Sequence, residues 1–108
     1  MRSEELTEGK YEFEAELWLH PGPDPWHFIS LPPEVSDDVR ARTEGLLAFG
    51  STRVEARIGE TTWSTSVFFD RKRDCFLLPV KAEVRRREGV GDGDQVRAQL
   101  TLADAETV

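Results

Sequence analysis

From residue 11 the chain alternates: Tyr11, Phe13, Ala15 and Leu17 fall on one face, and Glu12, Glu14 and Glu16 on the other. This period of two marks a half-buried strand. The run His20-Pro21-Gly22-Pro23-Asp24-Pro25 follows. Its prolines cannot supply a regular ladder of amide donors, which predicts a loop, and residues 26–31 then read as a returning strand. Pro32-Pro33-Glu34 suits a helix start: Glu34, Asp37 and Asp38 sit in the first turns, and Val35 and Val39 are spaced i, i+4 on one face. Gly45 is the expected stop, with Leu46, Leu47 and Phe49 packing beyond it.

Residues 53–58 and 61–69 are two β-rich runs separated by Gly59-Glu60, a two-residue connection suited to a tight hairpin with glycine at positive φ. After the charged turn Arg71-Lys72-Arg73-Asp74, residues 75–80 form a nearly continuous apolar run, as expected of a strand buried on both faces and paired with the strand before it. Residues 81–88 favour a short helix ended by Gly89. Gly91-Asp92-Gly93-Asp94 reads as a turn leading into residues 95–102, where Val96, Ala98, Leu100 and Leu102 share a face. Six strands with one or two short helices, and no βαβαβ alternation, predict a mainly β protein. The expected architecture is a small closed or split mixed barrel, since closure removes the edges of a small sheet.

A chain of 108 residues suits one domain, placed at residues 11–102, with a flexible N-terminus at 1–10 and a polar tail at 103–108. Its charge is lopsided. Residues 71–87 carry seven basic and two acidic side chains, while the whole chain has a formal net charge of -7. That balance weighs against generic binding of nucleic acid. The only cysteine, Cys75, has no partner for an internal disulfide, no apolar stretch is long enough for a membrane helix, and the acidic start does not resemble a secretory signal. These features lead to the expectation of a cytoplasmic location with no membrane role.

Several runs taken in order resemble a known family: Trp26-His27-Phe28-Ile29-Ser30-Leu31-Pro32, Phe49-Gly50-Ser51-Thr52-Arg53-Val54, Trp63-Ser64-Thr65-Ser66 within 59–66, Leu78-Pro79-Val80-Lys81 with Val84-Arg85, and Gly93-Asp94-Gln95-Val96. Over about residues 11–102 their order and spacing are similar to DUF1905, a bacterial domain of unknown function. The resemblance implies a small split barrel capped by helices, distantly similar to swapped-hairpin AbrB-like domains. Many members are fused to a second domain associated with bacteriocin protection, for which these 108 residues leave no room. The resemblance carries no catalytic residues, and fold alone assigns no chemistry.

The residues suggest chemistry only faintly. His20 and His27 flank the proline loop without the further ligands a metal site needs, so no metal and no cofactor is expected. Cys75 opens an apolar strand, where cysteine behaves as an inert small hydrophobe. Ser64 and Ser66 share a strand face but lack the surroundings of a nucleophile elbow. Gly91-Asp92-Gly93-Asp94 lacks phosphate-loop spacing. Lys81 and Arg85, four apart on the expected helix, together with Arg86 and Arg87, suit a phosphate or carboxylate or else a solvated helix end. Trp18 and Trp63 suit core or cross-strand positions, and Trp26 suits a cover over the barrel mouth or a stacking surface. The preferred reading is a non-enzymatic binding or interaction module for a small anionic ligand or an acidic protein segment, with Lys81, Arg85, Ser66, Trp63 and Trp26 as binding residues. The alternatives are an enzyme of unrecognised type and an AbrB-like DNA-binding dimer, which needs a continuous basic surface to offset the net charge. Partner identity and oligomeric state are not written in the residues.

Overall fold

A computed structural model describes residues 9–43 and 51–103. Residues 1–8 and 104–108, together with Gly45, Leu46, Leu47 and Phe49, lie outside the described residues. The elements are β1 (Lys10–His20), β2 (Trp26–Ser30), α1 (Pro33–Thr43), β3 (Ser51–Ile58), β4 (Thr61–Asp70), β5 (Cys75–Pro79), α2 (Ala82–Glu88) and β6 (Gln95–Leu102). The strands close into an antiparallel barrel in the order β1-β2-β5-β4-β3-β6.

Closure depends on β1. Its first residues pair with β6, with Lys10 opposite Thr101 and Glu16 opposite Gln95, and its last four pair with β2, from Leu17 opposite Ile29 to His20 opposite Trp26. At the changeover the Leu17 amide donates to the Asp94 carbonyl and the Leu17 carbonyl accepts from the Gly93 amide, both at 2.8 Å. The cluster at 91–94 is therefore a turn: Gly93 takes φ +92°, and Asp94 Oδ2 accepts from the Gly91 amide. The β3–β4 hairpin turns at Gly59, φ +60°, with Ile58 opposite Thr61.

The alternating apolar sets all point inward. Tyr11, Phe13 and Leu17 of β1, Val54, Ala56 and Ile58 of β3, and Val96, Ala98, Leu100 and Leu102 of β6 are buried in one cluster. Phe76 and Leu78 are fully buried, and their neighbours Leu77 and Pro79 are also covered, so β5 is enclosed on both faces. Full burial of each large apolar side chain stabilises by about 1.5–3 kcal/mol.

The helices finish what the strands leave open. β2 ends at Ser30, so the Phe76 amide of β5 has no strand partner there and donates to Ser36 Oγ of α1 at 2.9 Å, while the Phe76 carbonyl accepts from the Leu31 amide. α1 begins at Pro33, a position where a missing amide hydrogen costs nothing. α2 starts one residue later than the sequence pattern predicts, leaving Lys81 as its extended N-cap, and it stops at Gly89 in the left-handed region. Val84 anchors it to the core, and Glu88 Oε2 accepts from Thr61 Oγ1 at 2.5 Å and from the Glu60 amide at 3.3 Å. No helix among the described residues is long and apolar enough to cross a membrane.

Candidate functional site

Strand registers determine what meets on the outer surface. The tight turn places Arg53 opposite Ser66 and Glu55 opposite Ser64. Since Trp63 and Val67 point inward, Ser64, Ser66 and Phe68 point outward. From the other side Phe28 lies opposite Pro79, and Lys81 follows as β5 leaves the sheet. The result is a groove of about 390 Å³ lined by Trp26, Lys81, Pro79, Phe68, Arg53 and the hydroxyl-bearing run Ser64, Thr65 and Ser66, with an edge of Trp63 at its floor.

The groove has aromatic walls and two cations. Trp26 is 53% exposed and Phe68 44% exposed, both high for large apolar side chains. Trp26 stacks on Phe28, with ring centroids 6.1 Å apart and planes 11° apart, and Phe28 contacts Trp18 at 5.4 Å. Trp18 is anchored by donating from Nε1 to Ser30 Oγ at 2.9 Å, and the Arg73 guanidinium lies 4.2 Å above its ring. Arg73 also pairs with Asp70 at 2.7 Å, and that hydrogen bond holds the Asp70 carboxyl below its usual range. Neither Arg53 nor Lys81 has a carboxylate partner among the described residues.

Four of the five residues singled out in the sequence meet here: Trp26, Trp63, Ser66 and Lys81. Arg85 does not. It lies one turn into α2, not on a shared helix face with Lys81, and its Nε donates to the Val80 carbonyl at 3.2 Å. Trp26 lies on the outer wall rather than over the barrel mouth, and Trp63 is only 8% exposed, so its bulk belongs to the core. Arg53, Phe68 and Pro79 were not anticipated. The signal for Arg53 was present, because a two-residue turn at Gly59-Glu60 fixes its place opposite Ser66.

Other reactive side chains lie elsewhere. His20 is on the outer face beside Trp18 and Phe28, whereas His27 alternates with the outward Trp26 and Phe28 and faces the other way. The His27 Nδ1 is buried without a hydrogen-bond partner; burial, then the Arg85 charge, pushes its pKa below the ordinary histidine value, with Asp92 opposing. Burial pushes the Cys75 thiol pKa up, which suits an unreactive thiol. Among the described residues no group of three or more histidine, cysteine or acidic side chains has the spacing of a metal site.

The segments that carry the family resemblance supply most of the groove: Trp26, Arg53, the run from Trp63 to Ser66, Pro79 and Lys81. A family model described as a domain of unknown function, DUF1905, matches residues 13–100. The chain belongs to the DUF1905 family. The match spans the barrel from β1 to β6, so the DUF1905 domain here is a closed barrel, settling the choice between closed and split. No curated protein matches the sequence.

Proposed function

We propose that this DUF1905 barrel is a non-enzymatic, cytoplasmic binding module that holds a carboxylate- or phosphate-bearing ligand in the groove between Trp26 and Arg53. The observation that carries this reading is the convergence of Arg53 and Lys81, both without an acid partner among the described residues, on a trough with hydroxyl groups and two exposed aromatic walls. Oxyanions accept charge-assisted hydrogen bonds from such cations, and the aromatic walls take up the apolar body of the ligand. A catalytic reading finds less support: His27 faces away, Cys75 sits at the opposite end of β5 from Pro79, and neither joins the Ser64 and Ser66 face. A lone cysteine without an internal partner suits a reducing compartment.

The test is a titration of the isotope-labelled protein with citrate, inorganic phosphate and benzoate, followed by NMR. Binding moves the Trp26 indole and the Ser64, Thr65 and Ser66 amides, and the shifts vanish in Arg53→Gln/Lys81→Gln. Shifts confined to Arg85, Arg86 and Arg87, or no saturable shift with any of the three anions, overturn the assignment.

A further inference from the structure

We propose that the occupant of this groove is an extended acidic segment of a partner protein, with an aliphatic or aromatic residue seated against Trp26 and Phe28 and carboxylates reaching Lys81 and Arg53. This rests on the anion-binding reading above and gives that anion a source.

The footprint is too open for an enclosed metabolite. Trp18 pairs with Phe28, Phe28 with Pro79, and Ser66 with Arg53, while Pro79 and Ser66 share the groove. The groove itself runs from Trp26 on β2 across β5 and β4 to Arg53 on β3, four adjoining strands, which at roughly 4.8 Å per strand spacing is about 14 Å around the barrel wall. An extended chain covers that distance with about four residues. Small-molecule sites enclose most of their ligand, whereas this trough leaves half of Trp26 and nearly half of Phe68 open to water.

The groove is also polarised. Its β2 end is aromatic, with Trp26 stacked on Phe28, and its β3 end is cationic, with Arg53; Lys81 lies between, and Arg73 lies beyond the aromatic end, over Trp18. A complementary segment therefore has an apolar anchor at one end and acidic residues along the remainder. The barrel is closed, so a peptide cannot add as a seventh strand and must be held by side chains. Single-stranded nucleic acid matches less well. The chain carries a net charge of -7, and one face of Trp18 is covered by Arg73, leaving Trp26 and Phe68 as the stacking faces in the groove.

The experiment uses the full chain and fluorescence anisotropy at physiological salt with labelled probes. These are an acidic hexapeptide (tryptophan, leucine, then four glutamates), the same peptide with four lysines, and a ten-nucleotide thymidine strand; unlabelled citrate serves as competitor. The acidic peptide is expected to bind at least about tenfold more tightly than either other probe. Trp26→Ala is expected to weaken it at least about tenfold, as for an aromatic anchor. Arg53→Gln/Lys81→Gln should weaken it about tenfold. Lys72→Gln, in the β4–β5 turn, should leave it unchanged, and Phe68→Ser, should Trp26→Ala fail to fold, provides a second test of the aromatic walls. Equal affinity for the lysine peptide, or tighter binding of the thymidine strand, overturns the proposal. Citrate binding in the groove without acidic-peptide binding refutes the peptide and leaves the anion site standing; absence of both removes both.

Discussion

Replacing Gly59 by alanine tests how α2 is fastened to the barrel. Gly59 sits at φ +60°, and an added Cβ would press against the Glu88 carboxylate. Two costs follow. A Cβ in the left-handed region costs roughly 1–2 kcal/mol. The contact itself is relieved cheaply, because a glutamate carboxylate swings aside, but swinging aside forfeits the bonds it accepts from Thr61 Oγ1 and the Glu60 amide. On this partly open surface those bonds are worth about 1 kcal/mol together. Gly59→Ala should therefore destabilise by about 2–3 kcal/mol, and Glu88→Ala by about 1 kcal/mol. In a Glu88→Ala background the carboxylate is already gone, so adding Gly59→Ala should cost only the backbone part, and the cycle should show a coupling of about 1 kcal/mol.

Urea unfolding of the four proteins with a common m-value measures each difference. Equal cost of Gly59→Ala in both backgrounds would show that Glu88 does not press on the turn. A cost below about 0.5 kcal/mol would refute the left-handed turn itself.

Three further outcomes follow from buried polar contacts. Ser36→Ala strands the Phe76 amide in a buried position and should lower stability by about 1–3 kcal/mol in the same assay, whereas Ser36→Thr, which keeps an acceptor, should recover part of it. Tyr11 donates to Asp38 Oδ2 at 2.6 Å and Arg42 donates to the same oxygen at 2.8 Å. Burial raises the Asp38 pKa, but those two bonds outweigh it and leave the carboxyl below its ordinary value, so its contribution is present above about pH 4 and lost as pH falls through the depressed folded value. Tyr11→Phe should cost about 1.5 kcal/mol at pH 7, with the gap to the parent narrowing in acid melts below pH 4. The folded pKa of His27 is likewise depressed, so the stability it contributes is full above about pH 6.5 and declines as pH falls through the folded value. His27→Gln should flatten the change in melting temperature between pH 7 and pH 5, and an unchanged slope would refute the buried-imidazole argument.

β1 and β6 were legible because each carries a period of two against one core, β3 and β4 as β-rich runs around a tight turn and β5 as a nearly continuous apolar run, and these strands lie close to where those signals placed them. The hairpin followed from a turn only two residues long. The full strand order was not legible: β5 pairs with β4 as the sequence suggests, but its other edge meets β2, a pairing across long sequence separation that no local pattern encodes. The Tyr11, Asp38 and Arg42 contact was missed for the same reason, since α1 and β1 are brought together only by closure. The basic cluster at 71–87 misled because proximity in sequence is not a shared surface. Its members go to separate tasks: Arg73 to Asp70 and Trp18, Arg87 to Glu83, and Arg85 to the Val80 carbonyl, leaving Lys81 for the groove.

What replaces the sequence cluster is a cation contributed from each side of β4, and the location of most of the acids explains how an acidic protein can offer an anion site. Glu12 and Glu14 project from β1 toward Arg97 of β6, with contacts of 3.0 and 3.6 Å, and Glu16 continues that outer face. In the strand order β6 and β1 lie across from the β5 and β4 strands that floor the groove. Exposed charges further apart than a Debye length of about 8 Å at physiological salt scarcely affect one another. An anion between Arg53 and Lys81 therefore interacts with those two cations at close range, while the carboxylates of the far wall are largely screened and Glu55, opposite Ser64, is an acid on the near side. The net charge thus bears on how often an anionic partner approaches, and the groove on whether it stays.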